Sequence, residues 1–338
     1  MLCRFTHSQG LVSNQGNRLT RSLLVGAIAF GATVVPLGLS SPAGASSPTI
    51  SVGIMPFAVA VNPSTNTVYV ANAFGNSVSV INGSTNTITA TVSVGTHPRG
   101  VAVNPSTNTI YVTNQGGNSV SVINGSTNTV TSTISVGNQP FGVAVNPLTN
   151  TVYVSSSSRK SVSVINGSTN TVTTTVTVGT HPFGVAVNRL TNTVYVVNLG
   201  GKSVSVINGS TNTVTTTVTV GTHPSAVAVN PSTNTIYVTN QGRNSVSVIN
   251  GSTNIVTSTV SVRRNPSGVA VNPSTNTIYV ANLNSNSLSV INGSTNTVAD
   301  TVSVGTNPYA VAVNPSTNTV YVTNSSGNSV SVINGSTS

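Results

Sequence analysis

A single unit of 42 residues, marked by the pattern Tyr-Val-x-Asn, runs through this chain seven times, with its tyrosine at Tyr69, Tyr111, Tyr153, Tyr195, Tyr237, Tyr279 and Tyr321. A copied unit of this length cannot bury an apolar face alone, so the fold must come from stacking neighbours. The unit 99–140 divides into four segments, 100–103 (GVAV), 109–112 (TIYV), 119–123 (SVSVI) and 129–136 (TVTSTISV). Each alternates with period two and is rich in Val, Ile, Thr and Tyr, which predicts four strands. The clusters 104–108 (NPSTN) and 124–128 (NGSTN) predict tight turns between antiparallel neighbours, with Asn-Gly read as a hairpin dipeptide.

Four strands in 42 residues make one propeller blade. Alternation places Val120 and Val122 on one sheet face and Ser119 and Ser121 on the other, so neighbouring blades can interlock large against small. The smallest residues fall on the first strand, as crowding at a central axis requires. The ends separate a ring from a linear solenoid. The last unit stops after its third strand, whereas residues 49–53 (TISVG) match a fourth strand that has no first three before it. Joining the two would close a ring and remove two exposed sheet edges. The expectation is an all-β, seven-bladed propeller of four-stranded antiparallel blades, its last blade completed by the N-terminal strand.

Residues 1–45 differ in character. Arg4, Arg18 and Arg21 precede a mostly apolar stretch, 23–39, and Ala43-Gly44-Ala45 supplies a small-x-small cleavage pattern. This predicts a signal peptide over 1–45 and a propeller domain over 46–338. An uncleaved anchor is the other reading, weakened by Gly26, Gly31, Pro36 and Gly38. The mature chain is then secreted, cell-surface or periplasmic, without a membrane span, and is expected to be monomeric. Cys3, the one cysteine, lies in the removed segment, so neither disulfides nor thiol chemistry are expected.

The repeat residues also carry a resemblance. YVTN stands literally at 111–114, 237–240 and 321–324, and GVAVNP or AVAVNP precedes nearly every unit. The chain resembles the YVTN-repeat β-propeller proteins, which include surface-layer propellers and the YncE-like exported proteins, over residues 49–338. The resemblance implies an exported ring, associated in some relatives with the cell surface and in the YncE-like ones with DNA binding. Unit three departs from the motif at 153–156 (YVSS), where a differently shaped loop is expected.

Charged residues are 4% of the chain and Asp300 is its only acid, which removes most chemistry that needs carboxylates as bases, nucleophiles or cation ligands. In a propeller meander, the first-to-second and third-to-fourth turns share one face and the other two connections share the opposite one. The first face is nearly invariant, with Arg189 its one cation. The second is varied and carries Arg99, Arg159, Lys160, Lys202, Arg243, Arg263 and Arg264 together with Phe57, Phe74, Phe141, Phe183 and Tyr309. Cations interleaved with aromatic rings suit a polyanion. The same residues also fit a variable loop surface, and the ring positions Phe57, Phe141, Phe183 and Tyr309, each beginning an inner strand, could instead plug the channel mouth.

Before the loop proline stand Met55, His97, Gln139, His181, His223, Asn265 and Asn307. Three histidines on one face could serve a metal or a lyase, yet they fall in separate blades. Asp300 lies ~17 Å from them at ~3.3 Å per strand residue, too far to orient an imidazole. The seven tyrosines read as inter-blade core, each hydroxyl needing a partner near the sheet surface. The Asn-Gly-Ser turns are also glycosylation sequons. No nucleotide-binding, EF-hand or CxxC motif is present, and no cofactor is expected. The expected function is a non-catalytic, exported interaction module that binds a protein or an envelope polymer through the basic face. The alternatives are binding of DNA or another polyanion there, and a propeller enzyme such as a lyase using the loop histidines.

Overall fold

The computed structural model describes residues 47–336, and the expected signal segment lies outside the described residues. It holds seven four-stranded antiparallel sheets, six of them formed by consecutive strands. In the seventh, Thr49–Ser51 pairs antiparallel with Ser329–Asn334, placing the N-terminal strand beside the last three strands of the chain. The inner strands Pro56–Asn62 and Pro308–Asn314 lie against each other, which shuts the circle. The seven-bladed ring expected from the repeat is therefore the fold.

Each blade interface is one hydrophobic cluster. Tyr69, Val78, Val80 and Val92 of the first blade pack on Val101, Ile110, Val112 and Ile123 of the second. The same set recurs around the ring to the closing interface, where Ile50, Val52, Tyr321 and Val330 meet Val59, Val68, Val70 and Ile81. Ser77 and Ser79 occupy the other face of the sheet, that of Val70 and Ile81, and are nevertheless buried, because the preceding blade covers that face. Small residues line the axis for a steric reason: a Cβ added at Gly268 would fall 2.6 Å from the Tyr309 carbonyl oxygen of the adjoining inner strand.

The motif residues can now be assigned physical tasks. The Tyr111 ring fills an inter-blade core, and Val112 sits in the opposite one. The Thr113 hydroxyl accepts from the Gly100 amide at 2.8 Å and donates to the Phe141 carbonyl at 2.7 Å, bridging two inner strands. The Asn114 amide donates to both Ser119 and Ser121, at 3.1 and 2.9 Å. Blade three, with Ser156 in place of that asparagine, lacks the fork, and the Ser156 Oγ is buried without a partner. Its loop is a 3-10 turn, Ser157–Arg159, but blades four, five and six have the same turn, so the shape is not peculiar to YVSS.

The Asn-Gly turn joins antiparallel neighbours as expected, and the tyrosine hydroxyls depart from expectation. The glycine of that turn is not its left-handed residue. In 82–86 the left-handed residue is Asn86 at φ 56°, the Asn86 amide donates to the Asn82 carbonyl, and Asn82 Oδ1 accepts from Ser84 and Thr85. Gly83 is demanded by space, since a Cβ there would lie 2.7 Å from the Asn66 carbonyl oxygen. Nor does every tyrosine hydroxyl find a partner: those of Tyr69, Tyr111, Tyr153 and Tyr195 are buried without one. Tyr321 shows why, reaching the Gly83 carbonyl of the next blade only at 3.5 Å, the outer limit of a hydrogen bond.

On the invariant face a belt of asparagines encircles the ring. Asn62 Nδ2 donates to Asn108 Oδ1 at 2.8 Å, Asn104 to Asn150, and so on through Asn314 to Asn66 at 2.7 Å. The acceptors Asn66 and Asn108 are left-handed, at φ 49° and 50°, a region asparagine tolerates better than most residues.

Candidate binding face

The connections of the variable face are built in pairs. The Gln115 amide donates to the His97 carbonyl and the Gly116 amide to the Thr96 carbonyl, so the second-to-third loop of each blade lies against the segment that enters its inner strand. Arg99, Arg159, Lys160, Lys202, Arg243, Arg263 and Arg264 all sit on these connections or at the start of an inner strand, and all but Arg99 are exposed. Arg189 occupies the opposite face, in the turn after Asn188. With one acidic side chain in the sequence, at most one of these cations can be neutralised by another side chain. Asp300 is in the outer strand Thr297–Ser303, where its Oδ1 accepts from the Thr301 amide at 2.7 Å.

At the channel mouth the first side chains of the inner strands meet. Phe141 stacks on Phe183 with centroids 3.5 Å apart, Phe57 lies 3.8 Å from Tyr309, and Phe57 meets Phe141 edge to face at 5.6 Å. The Arg99 guanidinium lies over Phe57, 4.4 Å from its centroid, and its Nε donates to Gln115 at 2.8 Å. Ser225 and Ser267 complete the circle, each donating to a carbonyl of the next inner strand. Burial lowers the Arg99 pKa, with Tyr309 opposing the shift, and burial pushes the Tyr309 hydroxyl up, with Arg99 opposing. Four of the five aromatic candidates thus pack on one another as a cap. Phe74 alone stands out on the surface, 56% exposed, with His97 at 5.7 Å.

The histidines have a backbone explanation. His97, His181 and His223 all adopt φ of 50–51°, as do Met55, Gln139, Asn265 and Asn307 nearby at 52–57°. Every blade needs a left-handed residue at that place, and histidine, like asparagine, is enriched there. Among the described residues no group of three or more His, Cys, Asp or Glu is gathered for a metal. The sequence signal for this reading was the equivalence of the three histidines with Asn265 and Asn307.

Sequence reasoning treated the cations as one diffuse set and missed what distinguishes two of them. Lys160 and Lys202 are left-handed, at φ 52° and 50°, where the other five blades place Asn76, Asn118, Asn244, Asn286 and Asn328. Lys202 also borders a cavity of about 390 Å³ with Arg243. Among the described residues no helix is long and apolar enough to cross a membrane.

Comparison with known proteins agrees with the architecture. Residues 46–131 match the model of the family described as Lactonase, 7-bladed beta-propeller, a match to less than half of the chain. A solved structure described as Kuenenia stuttgartiensis Hydrazine Synthase is similar with a TM-score of 0.75 and 19% identity, covering 88% of this chain and 99% of that one. At that identity the likeness concerns the fold alone. A comparison with curated proteins finds no match. The chain is a seven-bladed propeller of the architecture those proteins share.

Proposed function

We propose that this protein is an exported, non-catalytic binding module whose variable face holds a phosphodiester polymer by charge. The observation that carries this reading is the distribution of cations among the described residues, seven on one face and Arg189 on the other, in a chain with a single acid. Such a face has no internal counter-charge, so an external polyanion is the partner it suits. The packing of Phe57, Phe141, Phe183 and Tyr309 against one another withdraws those rings from base stacking. Recognition then rests on phosphates, a chemistry that teichoic-type polymers and single-stranded nucleic acid share.

The test is a salt titration of binding to polyglycerol phosphate and to a mixed-sequence single-stranded oligonucleotide in parallel. Four to six phosphate contacts predict a slope of log K against log salt of about −3 to −4 for the single strand. Changing Arg159, Lys160, Arg263 and Arg264 to Ser should flatten it, and Arg189→Ser should not. Absence of binding to both polymers at low salt, or an Arg189 effect equal to the four-site change, would overturn the reading. Stronger binding of one polymer identifies the source of the phosphates.

A second reading, an enzyme, is favoured by the name of the matched family model. It would employ His97, His181 or His223. Lactone hydrolysis by the purified protein, lost when the three are changed to Asn with the fold intact, would establish it in place of the binding module.

A further inference from the structure

Lys202 breaks the rule of its own repeat. In five blades the equivalent asparagine does two things: it takes the left-handed backbone, and its Oδ1 accepts the amide of the left-handed residue that leads into the next blade, as from His97 to Asn76 and from Asn265 to Asn244, both at 2.9 Å, and from Met55 to Asn328 across the closure. Lysine has no acceptor, so the amides of His181 and His223 lose this bond beside Lys160 and Lys202. A left-handed lysine is also disfavoured by its own backbone. A sequence that gives up both a bond and a favoured conformation departs from local consistency, as functional sites do.

The surroundings of Lys202 supply the reason. Between blades four and five lies the cavity of about 390 Å³, lined by Lys202, Arg243, Thr219, Thr222, Thr259 and Asn240. Asn240 is fully buried, donates to Ser245 and Ser247, and leaves its Oδ1 without a donor. That orphan recurs in five other blades and does not single the cavity out. The cations do. Around the ring the two equivalent positions read Asn76 and Gly117, Asn118 and Arg159, Lys160 and Gly201, Lys202 and Arg243, Asn244 and Ser285, Asn286 and Gly327, and Asn328 and Gly75. One junction in seven pairs two cations, and it is the one with this cavity.

We propose that the cleft between blades four and five is a discrete subsite for a single phosphorylated polyol unit. Lys202 and Arg243 hold the phosphate, and the threonine hydroxyls on the same lining meet the polyol hydroxyls. The proposal rests on the reading of this face as phosphate-binding and narrows it to one recognition point.

The experiment is an NMR titration of the intact propeller with glycerol 1-phosphate, inorganic phosphate and glycerol. Glycerol 1-phosphate should shift the Thr219, Thr222 and Arg243 amides saturably and more tightly than phosphate, and glycerol should not. Lys202→Asn and Arg243→Gly, both residues the repeat already uses, should each weaken binding about ten-fold. Lys202→Asn should at the same time raise the melting temperature, by restoring the acceptor for His223. Arg189→Ser is the control. Equal affinity in Lys202→Asn and the unaltered protein would overturn the subsite. So would polymer binding with no glycerol 1-phosphate binding, which leaves the charged face standing; loss of both would remove the face as well.

Discussion

Asparagine and tyrosine carry most of the specificity of this ring, and they do so with amides and phenols where other proteins use ion pairs. Asn104 is fully buried, donates to Asn150 across the blade junction and accepts from the Ser106 amide. Asn104→Ala removes both bonds and should lower stability by about 1–3 kcal/mol in urea denaturation. A change below about 0.5 kcal/mol, typical of free surface sites, would show the belt to be idle. The tyrosines make a pH prediction. Burial raises the hydroxyl pKa of Tyr69, Tyr111, Tyr153, Tyr237 and Tyr321 above 10.0, and pushes Tyr195 up to about 12. A raised folded pKa means the native state holds the proton more firmly than the unfolded chain. The stability this provides is fully present below the unfolded value near 10 and is lost as pH rises toward 12. Phenolate absorbance should therefore appear together with unfolding above pH 10; titration of these phenols near 10 in a still-folded protein would contradict their burial.

At the scale of the blade, the third unit is the one built with a part missing. Ser156 cannot make the double donation that Asn114 and Asn198 make, and its hydroxyl is buried without a partner. Ser156→Asn should restore donation to Ser161 and Ser163 and raise stability by about 0.5–1.5 kcal/mol, measured by thermal or urea unfolding. Destabilisation would mean that the junction beside Gly137, where an added Cβ already crowds Ser156, has closed around the smaller side chain. The strands themselves were legible in the sequence, because period-two alternation of Val and Ser survives both exposed and buried contexts. Their ends were less so: the segment 100–103 extends to Pro98–Asn104, since proline and asparagine at its ends pair across the sheet despite poor strand propensity. The turn at Asn-Gly was legible, but the reason for its glycine was not. A dipeptide signals a local turn, whereas the demand on Gly83 comes from Asn66, far along the chain.

The ring as a whole was legible because its two ends complement each other, but the channel cap was not. Its members stand whole multiples of 42 residues apart, and the contact of Phe57 with Tyr309 exists only once blade seven meets blade one. Closure is therefore the property on which both fold and face depend. The strand that achieves it is short: Thr49–Ser51 pairs over three residues with Ser329–Ser331, extended by Val52 donating to Asn328 and Val332 donating to Pro48. Ile50 and Val52 also pack on the cluster that joins the last blade to the first. Deleting residues 46–53 leaves the strand Ser329–Asn334 with an open edge and uncovers that cluster, two changes that act together. The truncated protein should melt lower than the intact 46–338 chain and self-associate through the exposed strand. A synthetic peptide spanning 46–53 added in excess should recover part of the melting temperature by refilling the edge. An unaltered melting temperature and a monodisperse truncated protein would show that six complete blades and a three-stranded seventh hold the ring without the N-terminal strand.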